Sequence, residues 1–118
     1  MKILVVDDEG IVLDSCQVVL EDEGFEVLLV TSADKALEAI EKEGFALLLA
    51  DIKMPDRNGI YLIGEVNKRR PGMPIIAMSG YPTTETIEEA TKMGAATFIS
   101  KPFTPDELIA EVRQVLQK

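Results

Sequence analysis

Five short apolar segments alternate along the chain with segments of helical periodicity, and this alternation restricts the fold more than any other feature. The apolar segments occupy residues 2–6, 26–30, 46–51, 74–79 and 96–100. Each has the length and the aliphatic content of a buried strand. Regular alternation of strands and helices predicts a parallel sheet that is covered by helices on both faces. The sequence therefore predicts a single α/β domain over residues 1–118.

The intervening segments carry apolar residues at three- and four-residue spacing and have recognisable ends. A capping box of Thr104 and Glu107, with Pro105 in the first turn, predicts the start of the last helix. The helix predicted over 83–93 has a thin apolar face, so we expect it to be held less firmly than the others. The residues predicted to be buried in the other four helices are Val12, Cys16, Val19 and Leu20; Ala33, Ala36, Leu37 and Ile40, after the cap residue Ser32; Ile60, Ile63 and Val66; and Leu108, Ile109, Val112, Val115 and Leu116.

Composition excludes several classes of function. A formal net charge of -9 disfavours direct binding of this domain to nucleic acid or to an anionic membrane, since both are polyanions. The chain has no histidine, which removes histidine bases, nucleophile triads and histidine metal ligands. Its one cysteine, Cys16, is predicted to be a buried packing residue. No apolar run approaches the length of a membrane span, and we expect a cytoplasmic protein.

Polar residues stand where the predicted strands end. Asp7 and Asp8 follow the first strand, Asp51 ends the third, Ser79 ends the fourth and Lys101 follows the fifth. The flavodoxin-like strand order 2-1-3-4-5 would place the first and third strands side by side and bring these five groups into one pocket. Three clustered carboxylates need a cation, and oxygen ligands without His or Cys favour Mg²⁺. Asp51 is the candidate nucleophile for a phosphoryl group, with Lys101 and Ser79 available to its oxygens.

With these motifs in their order, the chain resembles the response-regulator receiver domains of two-component signalling, over essentially its whole length. Any one matching stretch is weak, and all of them within a five-fold β/α pattern are strong. The stretches are 3–9 (ILVVDDE), 51–59 (DIKMPDRNG), 79–81 (SGY), 94–100 (GAATFIS) and 101–103 (KPF).

The resemblance implies that Asp51 accepts a phosphoryl group from the phosphohistidine of a sensor histidine kinase or phosphotransfer protein. It implies Mg²⁺ ligation by Asp8, Asp51 and the backbone carbonyl of Lys53, with Asp7 assisting. The further roles that it implies are listed by residue: Ser79 and Phe98 are switch residues, Lys101 and Pro102 form a cis peptide, and Lys53 and Tyr81 tune the phosphoryl lifetime.

The resulting prediction is a phosphorylation-controlled switch rather than an enzyme with an external substrate. Phosphorylation would remodel the face of the fourth helix, fifth strand and fifth helix, which an output protein or a fused output domain would read. A phosphorylation-linked dimer through that face stays open. The main alternative is a Mg²⁺-dependent phosphohydrolase with an aspartyl nucleophile, although position 53 is Lys where such enzymes carry an acid. A flavodoxin-like FMN binder and a degenerate receiver are weaker alternatives.

Overall fold

The computed structural model describes residues 1–53, 59–80 and 83–117, which form five strands and five helices in strict alternation. The elements are β1 (Lys2–Val6), α1 (Gly10–Asp22), β2 (Glu26–Val30), α2 (Ala33–Lys42), β3 (Leu47–Asp51), α3 (Gly59–Arg69), β4 (Ile75–Ser79), α4 (Thr84–Met93), β5 (Thr97–Ser100) and α5 (Pro105–Leu116).

All strand pairs are parallel, and the sheet has the order β2-β1-β3-β4-β5. The predicted fold class and strand order are therefore confirmed. In the central pair, Val6 lies opposite Ala50, so the next residues along the two strands, Asp7 and Asp51, lie side by side. This register sets the position of the candidate site.

Alternate side chains of the strands pack on opposite faces of the sheet, and each face builds its own core. On one face, Leu48 and Ala50 of β3 pack in a cluster with α2 and α3. On the other, Leu47 and Leu49 pack in a cluster with α1 and α5. All five β3 residues are buried, including Asp51 at the end. Asp51 is thus the polar residue at which an otherwise apolar strand ends at the margin of the core.

The helices follow the predicted periodicity with a few corrections at the core. Cys16 is buried as predicted, but Leu13 and Leu62 are also buried although they were not assigned to the apolar stripes. In α5 only Leu108 and Val112 are fully buried, among residues that the structure describes. The remaining members of the predicted stripes, Val12, Val19, Ile60, Ile109, Val115 and Leu116, pack half-buried at the margins of the two clusters. A helix on a sheet hides one narrow line of side chains completely and covers the flanking ones in part.

Three of the strands start one residue later than predicted. Residues 46, 74 and 96 lie just outside β3, β4 and β5. They still join the backbone network: Ala46 N–H donates to the Lys2 carbonyl at 2.7 Å, and Ala96 N–H donates to the Ile75 carbonyl at 2.8 Å. Pro74 has no N–H to donate, and its carbonyl accepts from Leu48 N–H at 3.1 Å.

Helix α4 has the smallest buried face, as its sequence predicts. Ala90 is its one buried residue, and all of α4 lies in the described part of the chain. Ile87 and Met93 keep more than a third of their surface exposed. The capping box at its start is formed by Thr83 and Thr86, while the predicted capping box of α5, Thr104 with Glu107, is confirmed.

Candidate functional site

Backbone hydrogen bonds between neighbouring strands continue past the ends of the strands at the site. Asp7 N–H donates to the Val30 carbonyl at 3.2 Å, and Lys101 N–H donates to the Ser79 carbonyl at 2.8 Å. After Asp51, the N–H of Ile52 donates to the Met78 carbonyl at 3.0 Å. These hydrogen bonds extend the ladder past the strand ends, so the side chains of the site start from rigid positions.

The ammonium group of Lys101 lies among three carboxylates of the described chain. Its Nζ is 2.7 Å from Asp7 Oδ2, 3.1 Å from Glu9 Oε1 and 3.3 Å from Asp51 Oδ2. The Lys101 side chain is 11% exposed and that of Asp51 is 5% exposed. The first, third and fifth strands therefore meet through charged groups at one edge of the sheet, as the sequence predicts.

Local backbone hydrogen bonds orient the two buried carboxylates. Asp7 Oδ1 accepts from the N–H of Glu9 at 2.9 Å, and Asp51 Oδ1 accepts from the N–H of Lys53 at 3.0 Å. Each aspartate thus turns one oxygen back to the loop that follows it. The second oxygen of each points to Lys101. The two carboxylates therefore contact the same ammonium group from two sides.

Burial and charge perturb both partners of the central ion pair. Burial raises the pKa of Asp7 above its ordinary value, and the charge of Asp51 raises it further, against the opposing effects of Lys101 and the Glu9 N–H. Burial alone would lower the pKa of Lys101, but its hydrogen bond and charge contacts with Asp7, together with Asp51 and Glu9, raise it overall. Lys101 is therefore a permanent cation at physiological pH.

The donor set at this edge fits a hard divalent cation. Carboxylate oxygens of Asp7, Asp8, Glu9 and Asp51 all lie within 4.8 Å of one another. Asp7 Oδ2 is buried and, among the described residues, has no hydrogen bond of acceptable geometry, although it lies in the ion pair with Lys101. An all-oxygen set with a buried, under-satisfied carboxylate oxygen is the ligand chemistry that Mg²⁺ prefers.

The other predicted site residues lie at or near the same edge. Ser79 is buried at the end of β4, one residue beyond Met78, which pairs with Asp51. Phe98 is half-buried on β5 and packs against the α2–α3 face of the core. Lys53 is exposed, and the peptide bond between Lys101 and Pro102 is cis. Tyr81, the second predicted tuning position, lies outside the described residues, as do the turn residues Pro55 and Asn58.

Two observations were not anticipated from the sequence. Glu9 joins the site through its contact with Lys101, although its sequence position indicates only the start of α1. Its adjacency to Asp7 and Asp8 was the available signal.

Burial raises the pKa of Cys16 to about 12, with a further contribution from Asp7, which removes the thiolate from the accessible chemistry.

The fold and this strand-edge cluster together define a receiver-type α/β domain. A family model described as the response regulator receiver domain matches residues 3–113, so the chain belongs to the response regulator receiver domain family of two-component systems.

Individual relatives agree with this membership. A crystal structure of a response regulator receiver domain protein (CheY-like) from Methanospirillum hungatei JF-1 is similar with a TM-score of 0.95 and 40% identity, covering 98% of this chain and 93% of that one. The transcriptional regulatory protein ZraR of Escherichia coli K12 is 35% identical and FixJ of Bradyrhizobium diazoefficiens is 32% identical, each over 98% of this chain. The chain spans only 26% of the length of ZraR and 57% of that of FixJ.

No helix in the described part of the chain combines the length and the apolar character that crossing a bilayer requires.

Proposed function

We propose that this domain, residues 1–118, is a phosphorylation-activated signalling switch in which Asp51 accepts a phosphoryl group from a phosphohistidine. The observation that carries the proposal is the convergence of Asp7, Asp51 and Lys101 through contacts of 2.7 and 3.3 Å at the edge of a buried sheet. Asp51 is held in place by β3 and by its hydrogen bond to Lys53 N–H, so its carboxylate is pre-oriented. Pre-oriented reactants avoid much of the entropic cost of the transfer.

The proposed transfer exchanges one bond to phosphorus for another. An oxygen of Asp51 forms the new P–O bond while the P–N bond of the donor phosphohistidine breaks. The electron pair of the P–N bond goes to the ring nitrogen, and the donor leaves as neutral imidazole because its other ring nitrogen carries one proton taken from solvent. Because residues 1–118 include no histidine, the phosphohistidine must come from outside this domain, and we assign it to a sensor kinase or a phosphotransfer protein.

The residues of the domain have separate parts in this reaction. Asp7, Asp8, Asp51 and the Lys53 carbonyl would hold Mg²⁺, which supplies charge neutralisation to the oxygens of the transferred group when it is bound. Lys101 provides a second positive charge to the same oxygens, and Ser79 donates a hydrogen bond from its hydroxyl. The domain itself needs no external substrate, so we assign it as a switch rather than as an enzyme.

The donor reaches the site past an apolar surface of α1. Ile11 and Val18 are exposed on that helix, and a cavity of about 460 Å³ lies between Ile11 and Phe103 beside Lys101. Exposed apolar side chains on the helix that borders the cavity beside Lys101 favour an apolar helix face of the phosphohistidine-bearing partner as the docking element. This surface leaves the α4 side of the domain available to other partners.

The α4–β5–α5 side is the proposed output surface. Helix α4 has one buried residue, Ala90, so a modest change in packing energy at its N-terminal end can shift its position. Ser79 ends β4, and Phe98 of β5 packs in the same core cluster as Ala90 of α4, so these two residues would couple α4 to Asp51. An output protein or a fused output domain would bind the changed surface. A second copy of this domain, forming a dimer through the same face, is one such partner. The proposal also includes the cytoplasmic location that the sequence predicts.

The decisive test is Mg²⁺-dependent labelling by a small acyl-phosphate donor and by a phosphorylated histidine kinase. We expect a stoichiometric, hydroxylamine-sensitive phosphoryl group on the peptide that contains Asp51. Asp51→Asn should abolish it, while Asp22→Asn, an exposed carboxylate at the far end of α1, should leave it unchanged. Label that survives Asp51→Asn would refute the assignment. Turnover of a phosphate ester by the wild type would instead support the phosphohydrolase alternative.

A further inference from the structure

We propose that Glu9 is a positioning residue for Lys101: its carboxylate is the outward partner toward which the ammonium group can shift when a divalent cation takes its place between Asp7 and Asp51. This inference rests on the proposed function for the identity of the cation. It assigns to Glu9 a part that none of the roles described above includes.

The side chain of Glu9 is diverted from its expected local use. Glu9 is the N-cap residue of α1, and its carbonyl accepts from Val12 and Leu13 N–H at 3.1 and 3.2 Å. Its carboxylate makes no capping hydrogen bond within the described residues, whereas the side chains of Ser32 and Thr104 cap their own helices. Instead Glu9 Oε1 accepts from Lys101 Nζ at 3.1 Å, across 92 positions of sequence.

The three carboxylates around the ammonium group pull it in different directions. Asp7 and Asp51 are buried and draw it into the protein, while the Glu9 side chain is 60% exposed and draws it outward. The ammonium group donates hydrogen bonds to Glu9 and Asp51, and its contact with Asp7 Oδ2 is an ion pair. Without Glu9, the outward contact is lost and only the contacts with the two buried aspartates remain.

The present position of the ammonium group is the one for which Lys101 and Mg²⁺ would compete. Lys101 contacts the second oxygens of Asp7 and Asp51, and the same two carboxylates would hold Mg²⁺. A divalent ion that enters must displace the ammonium from at least one of them. Glu9 gives the displaced ammonium a partner that stays within reach, so Lys101 remains close enough to meet the oxygens of a phosphoryl group.

A competing explanation is that Glu9 ligates the metal directly, since its carboxylate belongs to the 4.8 Å cluster. The two explanations differ in their dependence on Lys101. If Glu9 acts through Lys101, its removal matters only while Lys101 is present. If Glu9 is a ligand or a general source of negative charge, its removal has the same effect without Lys101.

The test is a double-mutant cycle of Glu9→Gln and Lys101→Met, read by calorimetric Mg²⁺ binding to the whole domain. We expect Glu9→Gln to weaken binding by about two- to fivefold, the range of a partly exposed ion pair, and to have little effect in the Lys101→Met background. Glu9→Asp, which keeps the charge but shortens the reach, should resemble Glu9→Gln. Glu88→Gln on α4 is the matched control for net charge. Equal losses in both backgrounds, no loss at all, or wild-type binding by Glu9→Asp would each overturn the proposal.

A second measurement on the same variants needs no metal and no phosphorylation. In Mg²⁺-free buffer, Glu9→Gln should shift the urea midpoint of unfolding toward lower stability more in the wild-type background than in the Lys101→Met background, because the Glu9–Lys101 ion pair exists only while Lys101 is present. Equal shifts in the two backgrounds would overturn the proposal. If the wild type neither binds Mg²⁺ nor accepts phosphoryl groups, the proposed function fails while this result still decides whether Glu9 holds Lys101.

Discussion

Replacing Gly59 by Ala tests whether the start of α3 is packed directly against the strand end that carries Asp51. A Cβ at Gly59 would lie 2.1 Å from the Asp51 carbonyl oxygen and 2.6 Å from Ile52 Cα, whereas real Cβ contacts stay above 3.0 Å. Both neighbours are backbone atoms and cannot rotate away. The start of α3 and the end of β3 must therefore separate by about 1 Å, the size of the overlap.

The expected cost follows from this overlap and from helix propensity. Overpacking against rigid neighbours costs about 1–3 kcal/mol, and the gain in helix propensity from Gly to Ala returns up to about 1 kcal/mol. We expect Gly59→Ala to lower the free energy of unfolding by about 1–2 kcal/mol and the Tm by about 4–10 °C for a domain of this size. The separation also moves Asp51, so we expect the rate of phosphorylation to fall.

Urea and thermal unfolding followed by circular dichroism measure this effect. Gly10→Ala is the matched control, because Gly10 is also the first residue of its helix and a Cβ there meets nothing within 4 Å. We expect Gly10→Ala to leave the free energy of unfolding unchanged or slightly raised. If Gly59→Ala matched Gly10→Ala in stability and in phosphorylation, the packing argument for the Asp51 strand end would be refuted.

Three further predictions concern the cation, the buried acid and α4. At about 100 times its Kd, Mg²⁺ should stabilise the domain by about 2.7 kcal/mol in thermal unfolding, and Asp51→Asn should largely remove this gain; equal gains in both proteins would exclude Asp51 as a ligand. The pKa of Asp7 in the folded protein is raised above 3.8. The contribution of Asp7 to the free energy of unfolding is therefore fully present below pH 3.8 and is lost as the pH rises through the pKa of the folded state. Asp7→Asn should therefore be more stable than the wild type at pH 7 in Mg²⁺-free buffer, with a difference that narrows toward pH 4, and denaturant curves showing a constant difference would contradict this. Gly64→Ala should cost little stability, because its Cβ would meet only the flexible end of Met93, 2.4 Å away, but it should speed hydrogen exchange in α4, and unchanged exchange would show that this contact does not hold the helix.

Predictability differed between the elements for physical reasons. Strands 2–6 and 26–30 and the caps at Ser32 and Thr104 were predicted to the residue, because local apolar runs and hydroxyl side chains determine them. Leu62 was missed because its burial depends on how α3 rotates against the sheet, which no local pattern specifies. The starts of three strands differed by one residue, since strand ends depend on the neighbouring strand.

The site shows the same division. The convergence of strand ends follows from the order of the sheet. With the flavodoxin-like order expected for a doubly wound sheet, which the structure confirms, Asp7, Asp51 and Lys101 could be grouped from sequence. The direction of a flexible side chain could not: Glu9 reaches Lys101 instead of capping its own helix. The functional roles of these residues remain predictions that the labelling and binding experiments test.

Local sequence chemistry was sufficient for the type, order and approximate ends of the elements and for the identity of the charged groups at the strand ends. Tertiary structure alone decided the depth of each group, the 2.7 Å contact between Lys101 and Asp7, and the recruitment of Glu9. The reason is that backbone propensities and apolar periodicity act within a few residues, whereas burial and charge contacts depend on segments that are distant in sequence and meet only when the sheet is assembled.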